Sequence, residues 1–178
     1  MPLVRAFCAT SLDGFIAGPG DDLSWLPQPD QDAGDAPPED HGFDAFMAQT
    51  ASMVMGRTTY DVVEGFDGWP YGETPVLVAT TRPLEPKVPT VHAVSGTPAE
   101  LLAAAQAHAP GNVYVDGGQL IRAFWDAGLL DELTVTVIPY VLGAGTPLLA
   151  GAARRAPLDL VSERVLGPGL LQLVYRPA

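Results

Sequence analysis

The 178-residue chain has few cysteines, few basic residues and no long apolar runs. Cys8 is its only cysteine, so it can form no internal disulfide and no zinc site that needs two thiolates. Lys87 is the single lysine beside eight arginines, and 21 acidic side chains bring the net charge to −12. That balance excludes a nucleic-acid binder and disfavours an anionic membrane surface, both of which need a basic face. A few arginines still suffice for a small anionic ligand. No apolar stretch approaches the ~18 residues of a membrane span, and Met1-Pro2-Leu3-Val4-Arg5 does not read as a signal peptide. A soluble, cytoplasmic protein is the expectation. With 47% hydrophobic residues the chain folds, and its length suits one domain over 1–178 that buries roughly 70% of its unfolded surface.

Charge is unevenly spread. Nine acidic residues and no Lys or Arg lie between Asp13 and Asp44. Within that stretch, residues 27–38 are turn chemistry with nothing large and apolar to pack, and they read as an exposed loop. Short apolar runs at 3–9, 53–55, 76–79 and 113–115 suit parallel strands buried on both faces. Phe43, Phe46 and Met47 recur at helical spacing. A helix over 99–109 is punctuated by Thr97 as cap, Pro98 at its first position, Glu100 completing a capping box and Pro110-Gly111 as its stop. Another carries Leu120, Ile121 and Phe124 on one face and ends at Gly128. Residues 133–138, and parts of 158–165 and 170–175, alternate with a period of two, the pattern common in antiparallel strands. The expected fold is α/β, with one mixed sheet of parallel strands finished by antiparallel ones and covered by helices.

Two strand-to-helix junctions carry chemistry. In Met53-Val54-Met55-Gly56-Arg57-Thr58-Thr59-Tyr60 a strand ends at Gly56, and a guanidinium and two hydroxyls follow. A helix start favours a phosphate by about 0.3–1 kcal/mol, and Arg57 offers a planar donor fork. The plain alternative is a surface arginine beside an ordinary cap. In Val113-Tyr114-Val115-Asp116-Gly117-Gly118-Gln119-Leu120-Ile121 the glycine pair lets a ligand reach the backbone, or serves a tight turn needed only for packing. Neither junction is a G-x-G-x-x-G or Walker loop. Asp13, in Ser11-Leu12-Asp13-Gly14 after the first strand, could orient a ring nitrogen or move a proton, or be a turn aspartate. Trp25 reads as the wall of a flat pocket or as a loop anchor. Gly143-Ala144-Gly145-Thr146-Pro147 reads as an anion cradle or a turn. His41, His92 and His108 show no metal spacing.

In series, Ser11-Leu12-Asp13-Gly14, Leu23-Ser24-Trp25-Leu26, Val54 to Tyr60, Val115-Asp116-Gly117-Gly118 and the run 124–149 resemble one superfamily. The chain is similar to the dihydrofolate-reductase-like proteins that share the C-terminal reductase domain of bacterial riboflavin biosynthesis, the RibD C-terminal domain family. That resemblance implies a three-layer α/β/α fold with a mixed eight-stranded sheet, NADPH as cofactor and a homodimer. It places Gly56, Arg57 and Thr58 at the cofactor phosphates, and Thr80, Thr81 and Arg82 near the adenosine 2′-phosphate. Gly117, Gly118, Gln119, Leu120 and Ile121 pass under the pyrophosphate and nicotinamide. The dihydrofolate reductases join their paired glycines by a cis peptide, which costs about 2.5–4 kcal/mol without proline.

Departures bear on the substrate. The pterin-holding acid of dihydrofolate reductase corresponds to Asp40 by ungapped count, with Asp44 as its rival. The riboflavin reductases carry Asp, Pro and Arg downstream of the Gly56-like glycine, a pattern that Tyr60-Asp61-Val62-Val63-Glu64-Gly65 lacks. Their glutamate before the glycine pair is Asp116 here. Cofactor binding is thus better supported than a sugar-phosphate substrate. The expectation is an NADPH-dependent reductase that transfers a hydride to a small heterocyclic or carbonyl/imine substrate, like 5-amino-6-(5-phosphoribosylamino)uracil reductase and dihydrofolate reductase. Asp13 and Asp40 are its candidate catalytic acids, with Trp25 and Asp116 at the substrate. The rivals are a non-catalytic ligand-binding or interaction protein on this fold, and an unrelated α/β protein that binds another nucleotide.

Overall fold

The computed structural model describes residues 2–27, 41–167 and 169–178. Its centre is β1 (Val4–Ser11), flanked by β6 (Asn112–Asp116) and β7 (Glu132–Ile138). Outward from β6 lie β3 (Thr50–Gly56), β4 (Val76–Ala79) and β5 (Val91–Val94), and outward from β7 lie β10 (Leu170–Pro177) and β9 (Leu158–Leu166). The eight-stranded order is β5-β4-β3-β6-β1-β7-β10-β9, parallel from β5 to β7 and antiparallel for the last two strands. The mixed α/β sheet expected from the sequence is therefore present. A separate ribbon pairs β2 (Phe15–Ala17) with β8 (Thr146–Pro147).

One expectation needs correction. The alternation at 133–138 suggested an antiparallel strand, yet β7 runs parallel to β1 from Arg5↔Glu132 to Ser11↔Ile138, and only its other edge is antiparallel. The alternation reports the polarity of the two faces. Leu133 and Val135 enter the helix-covered core, while Thr134 and Thr136 are buried on the opposite face. Strand direction leaves no mark on that pattern.

Both faces are covered. Against one, α3 (Pro98–His108) and α4 (Gly118–Asp126) pack Leu101, Ala105, Ile121 and Phe124 onto Ala6, Val54, Val113 and Val115. Against the other, α1 (Phe43–Met47) and α2 (Arg57–Val63) set Phe46, Tyr60 and Val63 on Met53, Met55, Val76 and Tyr114. Each such fully buried side chain contributes about 1.5–3 kcal/mol, which explains the uniformly apolar runs of β3 and β4. The signals read for α3 operate as expected. Thr97 Oγ1 accepts from Glu100 N–H at 3.4 Å, and Glu100 Oε2 accepts from Thr97 N–H at 2.8 Å. Six parallel strands bring their carboxyl ends to one edge, so the loops after β1, β3, β4 and β6 converge there.

Candidate active site

A cleft of about 510 Å³ opens at that edge, within the size range of small-ligand pockets. The two junctions singled out in the sequence meet across it because β3 and β6 are adjacent, with Met55 opposite Asp116. Both contribute lining residues, Gly56, Arg57 and Thr58 from one and Gly117, Gly118, Gln119 and Leu120 from the other. A Cβ on Gly117 would stand 2.6 Å from Thr59 Oγ1, and Gly117 has φ 101°, a conformation that side-chain-bearing residues rarely adopt. A Cβ on Gly118 would stand 2.9 Å from Ile16 Cδ1 and 2.9 Å from the Pro147 carbonyl. The pair is thus a bare stretch of backbone wedged between α2 and the β2–β8 ribbon. The Gly117–Gly118 peptide is trans, which corrects the cis bond implied by the resemblance. The positive φ at Gly117 makes the turn into α4 instead.

The remaining cofactor candidates divide. Ile121 points away from the cleft and is fully buried in the core under α4. Thr80, Thr81 and Arg82 follow β4 and do not line the cleft, but they adjoin its Arg57 end. Arg57 Nε donates to Asp61 at 2.7 Å and Nη1 to the Pro83 carbonyl at 2.9 Å, while Arg82 Nη2 lies 3.4 Å from the other Asp61 oxygen. Two guanidiniums therefore share one carboxylate. With seven residues, α2 has a weak dipole, and the polar groups at its start are Arg57 and the Thr58 and Thr59 hydroxyls.

The candidate acids have separate fates. Asp13 does not line the cleft. It is exposed and accepts from Ser11 Oγ at 2.6 Å, Gly143 N–H at 2.7 Å and Leu142 N–H at 3.1 Å. These bonds, the Ser11 hydroxyl first, hold its carboxyl below the ordinary aspartate range, so it stays an anion that ties two loops together. Trp25 does not wall the cleft either. Its ring is buried with Ile138, Leu166 and Leu170, and its Nε1 donates to the Asp22 carbonyl at 3.1 Å, so the loop-anchor reading fits. Asp40 lies outside the described residues, and its rival Asp44 is exposed on α1. The 143–147 segment forms β8 and its approach, with Thr146 on the cleft wall and Gly145 pressed against the Ala17 carbonyl.

Asp116 does line the cleft. Burial pushes its carboxyl up to about 6, although the Gly117 N–H, donating at 2.8 Å, and the Tyr114 side chain pull the other way. Around it stand Phe7, Cys8, Ala9 and Tyr71, none singled out from the sequence. Burial, reinforced by the Asp116 charge, raises both the Cys8 thiol and the Tyr71 phenol, so both stay neutral. Phe7, Cys8 and Ala9 were legible as strand but carried no chemical signal, and Tyr71 sits in a turn-rich stretch without a motif. Among the described residues no group of three or more His, Cys, Asp or Glu could hold a metal ion, and no helix is long and apolar enough to cross a membrane.

Comparison with known proteins agrees with this architecture. The uncharacterized protein YwjB of Bacillus subtilis (strain 168) is 29% identical over 171 residues, covering 95% of this chain and 94% of its own. The crystal structure of a candidate riboflavin biosynthesis protein from Shewanella sp. PV-4 is 33% identical, with a TM-score of 0.85, covering 100% of this chain and 99% of that one. Dihydrofolate reductase from Enterococcus faecalis, complexed with NADP(H), is 17% identical and shares the fold, with a TM-score of 0.64 over 98% of this chain and 96% of its own. Residues 2–172 match the RibD C-terminal domain, so this chain, whose Gly117 packs against Thr59 at the cleft, belongs to the RibD C-terminal domain family.

Proposed function

We propose that the protein is an NADPH-dependent reductase of a small heterocyclic or carbonyl/imine substrate, with Asp116 as its proton donor. The observation that carries this reading is the apposition of Gly117–Gly118 with the Gly56–Thr59 turn across one cleft. The residues present suit a nicotinamide dinucleotide. The start of α4 at Gly118, Gln119 and Leu120 lines the cleft and offers backbone N–H groups to the pyrophosphate, and Arg57 with the Thr58 and Thr59 hydroxyls completes the donor set. Ile16, Leu120 and Thr146 form a largely apolar wall suited to a nicotinamide ring. Arg82, with Arg57 and Asp61, stands where the 2′-phosphate would be recognised. When bound, NADPH supplies the hydride to an electron-poor C=N or C=O carbon. Asp116 supplies the proton to the adjoining nitrogen or oxygen and is reprotonated from solvent. Its carboxyl near 6 keeps a useful share protonated around neutral pH, whereas Asp13 stays ionised. The apolar side chains around it exclude water and hold the ring in place.

A homodimer belongs to this reading. Leu160, Val161, Val165 and Leu171 are exposed on β9 and β10, an apolar strip that a second copy would cover. The test of the function is a thermal-shift titration. NADPH is expected to raise the melting temperature more than NADH, and Arg82→Ala to weaken NADPH about 10-fold, in line with one charge-assisted hydrogen bond. Equal shifts with both cofactors would refute the 2′-phosphate assignment. No shift with either would refute the cofactor.

A further inference from the structure

The half of the cleft around Asp116 differs in charge from the Arg57 end, and that difference bears on the kind of molecule it takes. Of the nine basic side chains only Arg57 lines the cleft; Asp61 and the Pro83 carbonyl hold its Nε and Nη1, and the reductase reading assigns what remains to the cofactor phosphates. Arg164 lies on the same sheet face as Ala9, through the register Ala9–Thr136–Gln172–Arg164, but two strands beyond β7. It is held there by Gln172 Oε1 at 2.8 Å and the His41 carbonyl at 2.9 Å. Residues 28–40 contain no Lys or Arg and so contribute no cation. The charged lining residues other than Arg57 are Asp21 and Asp116, both acidic.

The same half does offer neutral donors. Tyr71 lines the cleft with only 8% of its surface exposed, and its hydroxyl has no hydrogen-bond partner among the described residues. Asp116, when protonated, is a second donor. The walls between them are apolar, from Phe7, Ala9, Val62 and Phe66. A phosphate or carboxylate placed here would lose its hydration and meet carboxylates without a compensating cation. An uncharged ring with carbonyl or imine acceptors would satisfy both donors and bury its faces.

Resting on the reductase reading above, we propose that this half-cleft selects an uncharged, hydrogen-bond-accepting heterocycle, with Tyr71 and Asp116 as its donors, and excludes substrates bearing a phosphate or carboxylate. Tyr71 is thereby a specificity-determining residue.

The experiment separates this from the cofactor claim. NADPH binding is measured first by calorimetry on the full chain, and its failure would sink the reductase reading itself. The NADP⁺-bound protein is then titrated with 6-hydroxymethyl-7,8-dihydropterin and with its diphosphate ester, a pair that differs only in the anionic group. The uncharged member is expected to bind at least about 10-fold more tightly, since the ester adds charge with no partner. Tyr71→Phe is expected to weaken the uncharged member about 3- to 10-fold, the value of one hydrogen bond. Phe66→Arg, at a half-exposed rim position, is expected to improve the diphosphate about 10-fold by supplying the missing cation. Equal or tighter binding of the diphosphate by the unmodified protein overturns the proposal. So does failure of both members to bind a protein that binds NADPH.

Discussion

Asp116 offers the sharpest test, because replacing it should make the protein more stable and should do so only at higher pH. Its carboxyl titrates near 6 in the fold, against an ordinary value of 3.8. The folded state therefore holds a proton that the unfolded chain has already lost, and stability from this group falls as pH rises between the two values. The penalty is absent below about pH 3.8, grows through the window and is complete above about pH 6. At 1.36 kcal/mol per pH unit it reaches about 3 kcal/mol by pH 8, with roughly half already present at pH 5. Asp116→Asn keeps an oxygen to accept from the Gly117 N–H at 2.8 Å but cannot ionise. Urea unfolding of both proteins from pH 5 to pH 8, a range that keeps the acidic chain charged, should show the variant gaining on the parent until about pH 7 and then running parallel. Reductase turnover should fall in the same variant, because the proton donor is gone. A stability difference that is flat with pH, or a variant less stable than the parent at pH 8, would refute a buried, proton-holding Asp116.

Gly117→Ala must place a Cβ at φ 101° and 2.6 Å from Thr59 Oγ1, so a loss of about 2–4 kcal/mol in urea unfolding is expected. Adding Thr59→Ala should recover the steric share and leave about 1–3 kcal/mol of backbone strain; full recovery would place Gly117 in an ordinary conformation. Thr97→Ala removes half of the α3 capping box and should cost about 1 kcal/mol in the same assay, with no change in NADPH binding.

The elements with local causes were legible in advance. The buried runs of β3 and β4, the Thr97–Glu100 box and the glycine pair at the start of α4 each follow from residues a few positions apart. Asp13 and Trp25 show where such reading stops. Both follow the first strand, where an α/β sheet usually gathers its ligand groups, yet Asp13 is committed to backbone N–H groups 129 and 130 residues away. Trp25 is taken up by Ile138, Leu166 and Leu170 from distant strands. Nothing nearby in sequence marks those partners. The same holds for the β2–β8 ribbon, whose strands of three and two residues are too short to carry a periodicity. Tyr71 joins the cleft only because the segment after α2 folds back across the sheet. The identity of Asp116 was visible from the start, but its proton affinity comes from an enclosure that only the assembled strands create.

The segments on either side of the β2–β8 ribbon form a seam along one rim of the cleft. Leu12 N–H reaches the Tyr140 carbonyl at 2.8 Å, Leu148 N–H reaches the Gly14 carbonyl at 2.9 Å, and Asp13 crosses between them to Gly143. Opening that side would break all three bonds at once. Any widening of the cleft on this side therefore has to be concerted, with the loops before β2 and around β8 moving together.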